Sequence, residues 1–185
     1  MTGWRRAVLM GSVLVACVGC DQATKRLAVA HLKDGPAHSF LMDTFRLQYA
    51  ENPGAFLSLG ASLPPEVRRV VFTLGVAALL VALAVVALTR KNLTTAHLVA
   101  TAAFIGGGLG NLWDRVFQGG VVVDFMNLGV GPVRTGIFNV ADLAIMAGAV
   151  LLAWPVREKT AEAPPPGRNH PVGGDVHVDS MENKP

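Results

Sequence analysis

Charge is scarce in this sequence: 16% of its 185 residues are Asp, Glu, Lys or Arg, against 51% hydrophobic residues and a mean hydropathy of +0.43. That balance argues against a soluble domain and for a small membrane protein. Cysteine is nearly absent. Cys17 and Cys20 share the first apolar run, with no His or Cys partner at metal-ligand spacing. This excludes a disulfide framework and leaves both as small helix residues. A dense basic patch is also missing. The net charge of +3 and pI near 9.2 suit anionic lipid headgroups, but the basic residues stand singly or in pairs, which argues against nucleic acid as a partner. Of the histidines, His31, His38 and His97 have no HExxH-like spacing, and His170 and His177 fall in the tail. No metal and no cofactor are expected.

What is present is a set of four apolar runs, expected as helices over about 7–29, 70–88, 96–112 and 137–154. A bilayer crossing needs about 20 such residues. The first run has a second reading, because basic Arg5-Arg6, a short apolar core and Leu14-Val15-Ala16-Cys17 imitate a lipoprotein signal peptide. Continuation of the helical pattern through Leu27, Ala28 and Val29 favours a span. Residues 31–66 are polar and broken. Phe45, Leu47 and Tyr49 alternate with Arg46, Gln48 and Ala50 at strand period, Asn52-Pro53-Gly54 signals a turn, and Pro64-Pro65-Glu66 opens the next helix. In the third run, Gly106, Gly107 and Gly110 form a small-residue face suited to close helix packing. Arg5-Arg6, Arg90-Lys91 and Arg157 with Lys159 put both termini on the cytoplasmic side, while Lys25-Arg26 and Arg68-Arg69 run against that assignment. The chain divides into a four-span membrane domain, 1–157, and a tail, 158–185, whose prolines and glycines predict disorder.

The chemistry concentrates between Gly106 and Asp142, where Asp114, Asp124 and Asp142 fall in or against apolar segments. An ionised group at membrane depth costs at least roughly 2.5 kcal/mol, so such carboxylates are functional candidates. Two carboxylates in a low-dielectric site tend to hold one proton between them, giving a base and an acid. Aspartic proteases use that arrangement to drive water onto a peptide carbonyl. The plainer alternative is that Asp124 caps a turn and Asp142 caps the last helix, although Asn139 is the better N-cap and would free Asp142. A transporter or scaffold would leave the two acids far apart. Asn111 and Asp114 share a helix face, and Asp21 and Lys25 are either an interfacial ion pair or part of a site.

The motifs DQATK (Asp21 to Lys25), NPGAF (Asn52 to Phe56), GGGLGNLWDR (Gly106 to Arg115), VVDF (Val122 to Phe125) and FNVAD (Phe138 to Asp142) resemble those of the bacterial lipoprotein signal peptidases, or signal peptidase II, in order and at familiar spacing. The resemblance spans the chain from first to fourth run. It implies a mainly α membrane fold of four transmembrane helices with a small periplasmic β element and a short helix. It also implies an aspartic endopeptidase of the bacterial inner membrane, with its site near the periplasmic face. The substrate would be a diacylglyceryl-modified prolipoprotein drawn from membrane lipid, cleaved before the modified cysteine by a monomeric enzyme. Asp124 and Asp142 fall on the family's catalytic pair. Asp21, Lys25, Asn52, Gly54, Gly108, Asn111, Asp114, Arg115, Asn139 and Ala141 match positions that bind substrate or shape its pocket. Arg115 is expected to hold a carbonyl or headgroup, and Asn52 and Asn111 the scissile backbone. One departure stands out. The family usually carries an extra residue between the Gly and Phe of NPGAF, which puts the shape of the loop over the pocket in question.

Overall fold

The computed structural model describes residues 1–54, 62–90 and 93–154. Phe56 and the tail 158–185 lie outside the described residues. The first helix, α1 (Gly3–Leu32), has 30 residues and so runs about 45 Å. Arg6 and Met10, and then Asp21, Lys25, Ala28 and Leu32, recur three or four apart among its buried positions, making one stripe turned inward. Two strands follow, β1 (His38–Phe40) and β2 (Phe45–Asn52). Pro65 then opens α2 (Pro65–Arg69), which passes through a π-helical segment, Val70–Gly75, into α3 (Val76–Thr89). The expected uninterrupted span 70–88 is therefore a longer helix with a π-segment at its start. Next come α4 (Thr95–Phe117), β3 (Val122–Val130), β4 (Val133–Arg134) and α5 (Val140–Ala153).

Gly3–Leu32 and the continuous stretch Pro65–Thr89 are each long and apolar enough to cross a membrane. In α4 the glycines, His97 and Asn111 dilute the apolar character, and α5 has 14 residues. The apolar run from 137 does not become helix at its start. Phe138 instead bridges Met126 in antiparallel fashion, its N–H donating to the Met126 carbonyl at 2.8 Å, and Asn139 then caps α5. Val81, Val85, Val150 and Leu151 face outward, the inverse of a water-soluble bundle.

Small residues set how closely the helices approach. A Cβ built on Gly107 would lie 2.3 Å from the Ala141 carbonyl oxygen, and one on Gly148 would lie 2.7 Å from that of Ala100, so α4 and α5 touch backbone to backbone. A Cβ on Gly106 would meet that of Cys17 at 2.7 Å, which brings α1 equally close to α4. Backbone cannot move aside as a side-chain tip can. Gly107→Ala should therefore cost about 1–3 kcal/mol, read as a lowered Tm of the purified protein. Gly11→Ala, where nothing lies within 4 Å of the added carbon, should leave the Tm unchanged.

The sheet has the order β1-β2-β3-β4 and is antiparallel throughout. Gly129 to Gly136, whose glycines and proline read as turn residues in the sequence, is mostly hairpin. Val130 pairs with Val133 around Gly131-Pro132, and Gly131 takes the positive φ (57°) that such a turn requires. Leu41, Met42 and Asp43 also have positive φ in the β1–β2 connection. This strained run is tied down at Asp43, whose carboxylate accepts from Arg46 and from Ser39 Oγ and whose carbonyl accepts from Arg134 Nη1 at 2.8 Å. The Arg46 and Ser39 hydrogen bonds hold the Asp43 carboxyl well below the usual carboxylate range. Register matters most at the far end of the sheet. Asn52 pairs with Val122 and Ala50 with Asp124, so Asn52 and Asp124 are diagonal neighbours on one face.

Candidate active site

Among the described residues Lys25 is the most deeply buried cation, and it organises the residues around it. Its Nζ donates to Asp21 Oδ2 at 2.8 Å, Asp114 Oδ2 at 2.9 Å and Asn111 Oδ1 at 2.9 Å. An ammonium has three protons, and all are used. Asp21 and Lys25 are thus not an interfacial pair but a buried one, with relative exposures of 0% and 2%. Buried in this way, Lys25 does not count as a loop cation. The two carboxylates are further satisfied. Asp21 Oδ1 accepts from the Ala141 N–H at 2.9 Å, while Asp114 accepts from Gln22 Nε2 at 2.9 Å and the Val123 N–H at 3.2 Å. One network thereby ties α1, α4, β3 and the start of α5 together, and only a buried charge with this many partners is tolerable.

The orientation of each amide follows from donors that cannot be reversed. Because Lys25 can only donate, Asn111 must face it with Oδ1, which leaves Nδ2 to donate to Asp142 Oδ1 at 2.9 Å. Because the Asp142 backbone N–H can only donate, Asn139 faces it with Oδ1 at 2.9 Å and turns Nδ2 to Asp124 Oδ1 at 2.7 Å. The Asn139 N–H completes the set, donating to Asp142 Oδ2 at 3.2 Å. Asn52 Nδ2 donates to Asp124 Oδ2 at 2.9 Å, while its own Oδ1 accepts from the Gly54 N–H at 3.0 Å and closes the Asn-Pro-Gly turn. All four oxygens of Asp124 and Asp142 thus accept a placed N–H, and Asn139 touches both acids.

The fold therefore brings Asp124 and Asp142 together through a shared asparagine. Two expectations change. Asn139 is the N-cap of α5, but it does not free Asp142, which closes a reciprocal capping box with it. Asn52 and Asn111 turn their Nδ2 groups to the carboxylates, so their amide donors orient the acids instead of pointing at open space. Burial pushes the Asp124 carboxyl up to about 6; the Asn52 hydrogen bond pulls it down, and the charge of Asp142 pushes it up again.

Beside the acids lies a cavity of about 360 Å³ lined by Phe72, Val76, Gly108, Asn111, Arg115, Asp142, Ile145, Met146 and Ala149. At the wall, a Cβ on Gly108 would meet the tip of Leu80, Cδ2 at 2.6 Å, so a larger residue there would have to displace that side chain. Arg115 stands above Phe72, its guanidinium carbon 6.0 Å from the ring centroid. Its Nη1 and Nη2 donate to the carbonyls of Asn111 at 3.2 Å and Gly54 at 2.8 Å, while Nε has no partner among the described residues. Part of its fork is therefore spent on holding Gly54. Asp114 and Arg115, adjacent in sequence, do face different partners. Gln22, within DQATK and three residues before Lys25, joins the site without standing out among the polar residues of that motif. Phe72, Ile145 and Met146 are apolar residues in apolar runs that carry no signal of their own.

The family profile described as Signal peptidase (SPase) II matches residues 13–156. Proteins named lipoprotein signal peptidase are similar across most of the chain. The one from Pelodictyon phaeoclathratiforme is 38% identical, covering 78% of this chain and 87% of its own. That from Chlorobium phaeobacteroides is 36% identical over 71% and 80%, and that from Streptomyces griseus 32% identical over 81% and 74%. Among solved structures, a bacterial membrane enzyme determined by the in meso method at 2.3 Å resolution superposes with a TM-score of 0.68, at 26% identity over 77% of this chain and 84% of that one.

Proposed function

Because this chain belongs to the signal peptidase II family, whose activity is removal of signal peptides from prolipoproteins, we propose that it is an aspartic endopeptidase with Asp124 and Asp142 as its catalytic pair. The observation that carries this reading is Asn139, which donates to a carboxylate oxygen of each acid. With one proton on the pair, the ionised carboxylate takes a proton from water as the water oxygen bonds to the scissile carbonyl carbon. The protonated partner gives its proton to the carbonyl oxygen. In the second half the amide nitrogen takes a proton from the carboxyl that gained one, the other carboxylate takes a proton back from a hydroxyl of the tetrahedral intermediate as the C–N bond breaks, and the pair again holds a single proton. The donors from Asn52, Asn111 and Asn139 hold the acids in place for both halves.

The membrane arrangement belongs to the same proposal. α1, the Pro65–Thr89 helix, α4 and α5 are the four spans, with the sheet on the periplasmic side of the bacterial inner membrane. Supporting this, Arg6 at the opposite end of α1 donates to the Ala87 and Arg90 carbonyls at 2.9 and 2.6 Å. The basic residues Arg5, Arg6 and Arg90 thus gather at one end, where both termini would face the cytoplasm. The cavity's apolar wall of Phe72, Val76, Ile145 and Met146 suits a substrate arriving from lipid with its diacylglyceryl group attached. The test is cleavage by the purified enzyme of one prolipoprotein prepared with and without that group. Cleavage only of the lipidated form, with mass spectrometry placing the new N-terminus at the modified cysteine, is the expected result. Equal cleavage of both forms would refute lipid recognition.

Asp114 and Arg115 divide structural and substrate work. Asp114→Asn removes one of the two carboxylates on Lys25 and should lower stability by at least about 2 kcal/mol. Arg115→Lys keeps the charge but cannot span two carbonyls and a substrate oxygen. It should raise KM while leaving the Tm nearly unchanged, and the reverse pattern would exchange the two roles.

A further inference from the structure

On the side of α4 away from the catalytic cavity, two hollows meet at Trp113. The first, about 350 Å³, has a polar end formed by Gln22, Lys25 and Arg26 of α1 and by Gln118 just past α4, with Val29, Ala30 and Trp113 completing its wall. The second, about 290 Å³, is lined by Val18, Leu109, Leu112, Trp113, Val116 and Phe117. On α1, Val18, Gln22, Arg26 and Val29 follow one another three or four apart, so the apolar and polar hollows lie along one seam. We propose that this seam binds a glycerophospholipid, with its phosphate at Arg26 and Gln118 and an acyl chain in the groove beneath Trp113.

Charge decides the polar end. Asp21 and Asp114 are fully buried and already satisfied by Lys25 and Gln22, which leaves Arg26 as the cation on the rim. Arg26 is exposed and, among the described residues, its side chain has neither an ion pair nor a hydrogen bond. A guanidinium in that position matches a phosphate in charge and geometry. Trp113, 48% exposed and packed against Phe117 with the ring centroids 4.5 Å apart and the planes tilted by 45°, stands where the two hollows meet. Indole rings favour that level of a bilayer. A free anion would use only the upper half of the seam, whereas a phospholipid fills both. Neither Arg26 nor Gln118 takes part in the proposed catalytic pair or its hydrogen bonds, so the lipid site stands or falls independently of the peptidase reading.

The experiment uses the full chain with Trp4→Phe and Trp154→Phe, both at exposed positions, so that Trp113 is the sole indole. Its fluorescence is followed in detergent micelles as phosphatidylglycerol with brominated chains is titrated in. Saturable quenching is expected, with Arg26→Gln raising the half-saturating lipid fraction about fivefold and Gln118→Glu weakening binding in the same direction. Thermal melts confirm that both variants are folded. Equal quenching by brominated diacylglycerol, which lacks the phosphate, would overturn the proposal. So would an unchanged half-saturation in Arg26→Gln, or displacement by soluble glycerol phosphate as effective as by the whole lipid.

Discussion

Asp124→Asn and Asp142→Asn should each lower prolipoprotein cleavage by about 10³-fold or more, yet only the second should cost substantial stability. The difference lies in which neighbours can adapt. An asparagine at 124 can present its oxygen to Asn139 Nδ2 and its new NH2 to Asn52, so a single contact, at the rim near the Gly54 turn, is lost. An asparagine at 142 has no such choice. One of its former oxygens faces the Asn139 backbone N–H, which cannot turn, and the other faces Asn111, whose amide is fixed by Lys25 and Asn139. Whichever way the new amide lies, two donors confront each other in a buried place, at about 1–3 kcal/mol. Cleavage assays and thermal melts on the two variants check both halves. Residual activity within a few-fold of the parent for either one would remove that residue from the catalytic pair.

Activity should fall as pH rises through about 6. The Asp124 carboxyl, pushed up to about 6 chiefly by burial, loses its proton there, and a pair without a proton has no acid. The limb belongs to kcat/KM, which reports the free enzyme. Since the Asn52 hydrogen bond lowers this pKa, Asn52→Ala should move the limb to higher pH. Stability follows with a defined sign. A carboxyl at about 6 in the fold and 3.8 in the unfolded chain favours the folded state when protonated. That contribution is complete below about 3.8 and is lost as pH rises through 6, at roughly 3 kcal/mol in all. Asp124→Asn should flatten the stability profile across that window, as denaturation at stepped pH would reveal. An alkaline limb unmoved by Asn52→Ala would detach the limb from Asp124.

The helices were largely legible because apolar length is written directly in the sequence, and their errors have local causes. The last helix begins at Val140, not at Ile137, since Phe138 finds a strand partner in Met126. The turn-rich look of Gly129 to Gly136 hid a hairpin, because the few residues of β4 are too short to display an alternation. At the site, carboxylates in apolar surroundings announced themselves by their cost. What they touch did not. That Lys25 reaches Asn111, 86 positions away, and that Asn139 serves both acids depend on tertiary approach, which a single sequence does not encode at any fixed spacing.

Asn139 also fixes when the proposed catalytic site is complete. During synthesis the N-terminal parts of a chain are made first, so Lys25, Asn52, Asn111 and Asp124 exist before the residue that joins them. A nascent chain halted before residue 139 lacks both the second acid and the amide that turns toward the first. The start of α5 also delivers the Ala141 N–H to Asp21 and the Asn139 side chain to Asn111, so its docking closes the charge network and completes the proposed catalytic pair in one event. A chain halted short of α5 is therefore expected to cleave no prolipoprotein.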